Sequence, residues 1–147
     1  MKTIVVKRLI NAPIEQVFEM LSDHAGYTRF PGVKGARLLT KGKDDPNGDG
    51  AVRRVDLGAV WFEEVISNFQ RPVGFDYRIL RSRPPIEHEH GGLRLEETAA
   101  GTQVTWTSTL QVKVPLIGPL LTTMAVNTGE KAFGSMLKAI DKKLQNG

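Results

Sequence analysis

The sequence contains no cysteine, which excludes a disulfide framework, a thiolate nucleophile and any cysteine-ligated zinc or iron–sulfur centre. Several catalytic signatures are missing as well. There is no H-E-x-x-H pair and no G-x-S-x-G elbow, and Gly134-Ser135 falls within a predicted terminal helix. Gly48-Asp49-Gly50 lacks the third glycine of a dinucleotide fingerprint and feeds a strand, and no Walker lysine motif occurs. Long apolar runs are absent too. The most apolar stretch, Val114 to Val126, is too short for a bilayer and carries Pro115 and Pro119. The first residues offer no secretory apolar region before Lys7 and Arg8, so a cytoplasmic location is expected.

What is present suits one folded unit. The chain has 147 residues, 40% hydrophobic and 24% charged, which implies a single domain over 1–147 with a substantial core. Lys and Arg exceed Asp and Glu by only four charges. They are scattered, with Lys34, Arg37, Lys41 and Lys43 in one stretch and Arg78, Arg81 and Arg83 in another. No nucleic-acid footprint is expected from that distribution.

The hydrophobic period changes along the chain in an informative order. Thr3 to Ile10 reads as a strand, and Asn11-Ala12-Pro13 stops it and opens a helix with Val17, Phe18 and Leu21 on one face. Asp23, Gly26 and Tyr27 predict a second short helix, closed by Phe30-Pro31-Gly32. From Val33 to Val112, turn signals at Asp44–Gly50, Leu57-Gly58, Gln70–Gly74, Arg83-Pro84-Pro85 and Ala99-Ala100-Gly101 divide six antiparallel strands. A long helix follows Pro119, with Val126, Phe133, Leu137, Ile140 and Leu144 at helical spacing. The fold class is therefore α+β, a curved sheet wrapped around the last helix.

Alternation assigns an inner face: Phe62, Glu64 and Ile66 on one strand, Phe75, Tyr77 and Ile79 on the next, and Val104, Trp106, Ser108 and Leu110 on the last. Adding Arg53, His90 and Phe133 of the helix, the predicted lining is apolar with sparse polar groups, the composition of a small-molecule pocket. Glu64 or His90 against an apolar wall would serve as acid or base towards a carbonyl substrate, with Tyr77 donating a hydrogen bond and Arg53 as electrostatic partner. A bulge near Gly91-Gly92 would reverse the face that His90 occupies.

Three further segments carry residues with chemistry of their own. Asp45-Pro46-Asn47-Gly48-Asp49-Gly50, with Asp56 at the twelfth position, matches the start of a calcium loop but lies between strands, so a polar hairpin is expected there. His88-Glu89-His90 puts two imidazoles on one face of an extended segment, with only His24 elsewhere as a further histidine; no metal site is expected. Val114 to Leu121, bounded by Pro and Gly, reads as an apolar lip able to admit a ligand or touch a membrane surface transiently.

The segments Ile10–Phe18, Leu21-Ser22-Asp23, Tyr27–Val33, Gly48–Arg53 and Gly101–Trp106 resemble the SRPBCC superfamily, which groups START lipid-transfer domains, pollen-allergen-like proteins and polyketide cyclases/dehydrases. The last of these is the most similar, and the resemblance covers nearly the whole chain. It implies a helix-grip fold, a seven-stranded antiparallel sheet gripping the C-terminal helix around a hydrophobic cavity. It also implies binding of lipids, quinones, polyketides or similar apolar molecules. The leading expectation is therefore a binding or carrier protein without a cofactor. The alternatives are a cyclase or dehydratase using Glu64 or His90, and a protein-interaction module with a filled core.

Overall fold

The computed structural model describes residues 1–146. The elements follow the predicted order: β1 (Lys2–Ile10), α1 (Ile14–Ser22), a 3-10 helix (His24–Arg29), β2 (Gly35–Thr40), β3 (Val52–Asp56), β4 (Trp61–Gln70), β5 (Gly74–Arg83), β6 (Ile86–Thr98), β7 (Gly101–Val112) and α2 (Gly118–Gln145). All strand pairs are antiparallel, in one seven-stranded sheet ordered β1-β7-β6-β5-β4-β3-β2. The meander from β2 to β7 joins neighbours by turns of two to four residues except for the longer 41–51 connection between β2 and β3, and β1 then closes on β7.

Local chemistry sets the element boundaries. Pro13 caps α1 with extended backbone, Glu15 complements the first turn, and Ile14, Val17, Phe18 and Leu21 form its buried stripe. Strand β7 buries every second residue from Thr102 to Val112, the signature of a strand with one face on a core. The Thr122 hydroxyl fixes the start of α2, accepting the Val112 backbone N–H at 2.9 Å and donating to the Gly118 carbonyl at 2.8 Å. Lys142 and Lys143 complement its last turn.

Helix α2 packs against β1 and β7. Two apolar clusters flank the space beneath it. The larger is built on Ile10, Phe18, Phe75, Leu93, Trp106 and Leu137, and the smaller on Ile4, Leu110 and Val126. At Gly129 the helix comes so close to β1 that an added Cβ would strike the Ile4 side chain. No helix among the described residues is long and apolar enough to cross a membrane.

Candidate functional site

Between the sheet and α2 lies a cavity of about 580 Å³. Strands β3, β4, β5 and β7 supply Val55, Phe62, Ile79, Trp106 and Leu110, while α2 supplies Ala125, Ala132, Phe133 and Met136. Trp106 and Phe133 face each other as a parallel pair, with ring centroids 4.1 Å apart. Among the described residues the only charged side chains on the wall are Arg53 and Glu64, joined there by Tyr27, Tyr77 and Ser108, while Thr128 lines the wall from α2.

Arg53 organises this polar end. It is 2% exposed, and its Nε donates to Glu64 Oε1 at 2.8 Å. Its Nη1 donates to His24 Nδ1 and to the Tyr27 hydroxyl, each at 3.0 Å. The guanidinium carbon stands 4.9 Å from the Tyr27 ring centroid and 5.3 Å from that of Tyr77. The sequence basis is the antiparallel register, which sets Arg53 on β3 directly opposite Glu64 on β4.

Two neutral histidines support the site from behind. His24 Nε2 donates to the Asn47 carbonyl at 2.8 Å, leaving Nδ1 to accept from Arg53. Burial, and then the charge of Arg53, push its pKa down to about 3. His88 Nδ1 accepts the Ile79 backbone N–H at 3.0 Å, so its Nε2–H donates to Ser108 Oγ at 2.8 Å. Burial pushes His88 down to about 4. The β5–β6 ladder stops at Tyr77–Gly91, and the His88 ring bridges the strands beyond that point while stacking on Tyr77, centroids 5.5 Å apart.

Tyr77 receives the Trp106 indole N–H at 2.9 Å, and its phenol is pushed to a higher pKa, first by burial and then by the charge of Glu64. Gly91 makes this placement possible, since a Cβ there would penetrate the Tyr77 ring. The Tyr77 and Ser108 hydroxyls lie within hydrogen-bonding reach of each other, so one of their two protons is taken up within the pair and the other has no further acceptor among the described residues. The Tyr27 hydroxyl differs, because it donates to the Leu21 carbonyl at 2.6 Å. The cavity end therefore offers one hydroxyl donor from the Tyr77–Ser108 pair and a carboxylate acceptor.

The structure brings Arg53, Phe62, Glu64, Tyr77, Ile79, Trp106, Ser108 and Phe133 together on the wall and excludes four residues of the expected lining, Ile66, Phe75, His90 and Val104. Ile66 and Phe75 are buried away from the cavity. Phe75 packs edge-on against Phe18 of α1, with centroids 6.2 Å apart, which fills that end of the sheet. His90 points outward, its Nε2 3.5 Å from Asp76 Oδ1. A register shift between His88 and His90 in the pairing with β7 puts His88 inside instead, so the two imidazoles do not share a face. Glu64 also differs from the isolated carboxyl expected against an apolar wall, because Arg53 neutralises it.

His24, Tyr27 and His88 were not among the predicted lining or catalytic residues. The first two were signalled only by the threefold spacing of His24, Tyr27 and Phe30 through the 3-10 helix, all buried. In the β2–β3 connection, Asp45 is engaged by Arg71 at 2.7 Å and Asp49 by the Phe69 backbone N–H at 2.8 Å. No cluster of three His, Asp or Glu able to hold a metal occurs among the described residues. The segment after β7 exposes Leu116 completely, together with much of Ile117, Leu120 and Met124, and Met124 reaches the cavity rim.

Comparison with known proteins agrees with this architecture. The family model described as polyketide cyclase/dehydrase and lipid transport matches residues 1–145. Among solved structures, the chain is similar to the ZhuI aromatase/cyclase from a Streptomyces species, with TM-score 0.82, 19% identity, and coverage of 99% of this chain and 94% of that one. It is also similar to a START superfamily protein from Mycobacterium smegmatis, with TM-score 0.78, 16% identity, and coverage of 98% and 97%. No curated protein matches the sequence. At these identities the structural likeness speaks for the fold.

Proposed function

The chain belongs to the polyketide cyclase/dehydrase and lipid transport family, and on that premise we propose that it binds and carries a hydrophobic or amphipathic small molecule between the sheet and α2. The observation that carries this reading is the cavity itself, about 580 Å³ with apolar walls and polar groups gathered at one end. Trp106, Phe133, Phe62 and Ile79 cover the apolar body of the ligand. Glu64, Tyr77 and Ser108 orient its polar end, with Arg53 holding Glu64 in place. A ligand burying about 200 Å² of apolar surface gains about 5 kcal/mol from that term, enough for useful affinity once orientation is added. The exposed Leu116, Ile117 and Leu120 form the edge at which the molecule enters, in transient contact with a membrane surface.

A second reading, cyclisation or dehydration of a carbonyl compound, is favoured by one observation. The Tyr77 and Ser108 hydroxyls and the Glu64 carboxylate all line the same cavity, so a donor and an acceptor reach one substrate. His90 has no part in either reading, since its side chain is outside. Titration of the protein with 2-naphthol tests the binding reading. One-to-one binding that weakens at least about tenfold on Trp106→Ala is expected. Unchanged affinity in a folded variant would sink the assignment.

A further inference from the structure

The charges at the polar end of the cavity point to the class of ligand, an inference that rests on the binding reading above. Among the described residues Arg53 is the only cation on the wall; its Nε and Nη1 are engaged by Glu64 Oε1, His24 Nδ1 and the Tyr27 hydroxyl, while Nη2 donates no hydrogen bond. Aromatic rings cover its faces. Among the described residues Glu64 is the only anion on the wall. Its Oε2 accepts no hydrogen bond among the described residues. Beside it stand the Tyr77 and Ser108 hydroxyls, each receiving one hydrogen bond and, as partners of each other, keeping one proton between them to give.

We propose that Glu64 is the specificity-determining residue of this cavity: it selects an uncharged polar end bearing a hydroxyl, and it rejects carboxylates. A ligand hydroxyl donates to Oε2 and accepts the proton that the Tyr77–Ser108 pair has to give, so the carboxylate and the hydroxyl pair are both satisfied. A carboxylate can only accept. It would place a second negative charge beside Glu64, and the cation it could reach, Arg53, already has its charge balanced by Glu64, leaving only the Nη2 N–H groups to meet it. A ligand ammonium can donate to Oε2, but it adds positive charge beside Arg53 and leaves the proton of the Tyr77–Ser108 pair without an acceptor. The ligand class is thus the neutral alcohol or phenol with an apolar ring system or chain, as opposed to a fatty acid or an amine.

Three probes of one shape test the proposal by calorimetric titration at pH 7: 2-naphthol, 2-naphthoate and 2-naphthylmethylammonium. The wild-type protein is expected to bind naphthol at least about tenfold more tightly than either ion, as like charges a few ångströms apart at an effective dielectric of about 20 require. Glu64→Gln removes the negative charge, keeps the side-chain size and leaves Arg53 cationic. It should shrink the naphthol-to-naphthoate ratio by at least about tenfold. Wild-type protein that binds either ion as tightly as naphthol overturns the proposal while leaving the cavity a binding site. Binding of none of the three overturns the binding reading and this proposal together. The ranking on wild-type protein stands as a test even if Glu64→Gln does not fold. A folded Glu64→Gln protein with an unchanged ratio also refutes the role of Glu64.

Discussion

Arg53 and Glu64 form a buried ion pair, Nε to Oε1 at 2.8 Å, with side chains only 2% and 10% exposed. A buried pair is weak evidence for stability as a whole, since desolvation offsets much of its attraction, but each partner depends strongly on the other. Arg53→Met leaves a carboxylate without its cation and His24 and Tyr27 without their donor. A loss of about 3–5 kcal/mol is expected in urea unfolding. Arg53→Met combined with Glu64→Leu should lose less than Arg53→Met alone. A double variant as unstable as the single one would show that the pair is not coupled.

Acid stability follows from the buried histidines. His24 and His88 are held neutral, at about 3 and about 4 against an ordinary 6.5. Both native values are depressed, so the unfolded chain binds protons that the native state refuses. Their contribution is therefore complete above pH 6.5 and falls away as the pH drops towards 4 and then 3. Urea midpoints measured from pH 7 to pH 4 should decline, and His88→Gln should decline less steeply than wild type over that window. Equal slopes would remove His88 from the account.

The chain has two tryptophans, placed so that they report separately. Trp106 lines the cavity, whereas Trp61 lies against the Arg54 guanidinium, 4.2 Å from its carbon. A ligand in the cavity should change the emission of Trp61→Phe protein and leave Trp106→Phe protein nearly silent. The reverse pattern would move the ligand elsewhere.

Leu116 combines full exposure with a left-handed backbone, φ 71°, a conformation that a branched apolar residue adopts at a cost of about 1 kcal/mol or more. Leu116→Gly removes that strain and an exposed side chain, against a larger chain entropy when unfolded. Its unfolding free energy should be unchanged or higher by up to about 1 kcal/mol. Ligand transfer to and from phospholipid vesicles should be slower. Lower stability with unaltered transfer would give Leu116 a packing role instead.

Most of the fold is readable from hydrophobic period and turn chemistry. Strand β7 alternates without interruption, the turns fall at the Gly- and Pro-rich segments, and α2 shows a helical stripe ending in Lys142 and Lys143. Irregularities limited the reading of the site. Alternation cannot locate the bulge at Glu89 that turns His88 inward and His90 outward. It also assigns Ile66 and Phe75 to the correct face without showing that Phe18 has filled that end. The pairing of Arg53 with Glu64 depends on strand register, which no local pattern in either strand encodes.

The cavity as a binding site is tested most directly by comparing native and denaturing mass spectra of gently purified wild-type and Ala132→Phe proteins. Ala132, half-buried, lines the cavity on α2, so the larger ring takes up ligand space there. The account predicts one small apolar molecule per wild-type chain, held natively or taken up from added 2-naphthol, and none in folded Ala132→Phe protein. An equal load in both proteins, or no uptake by the wild type, would contradict it.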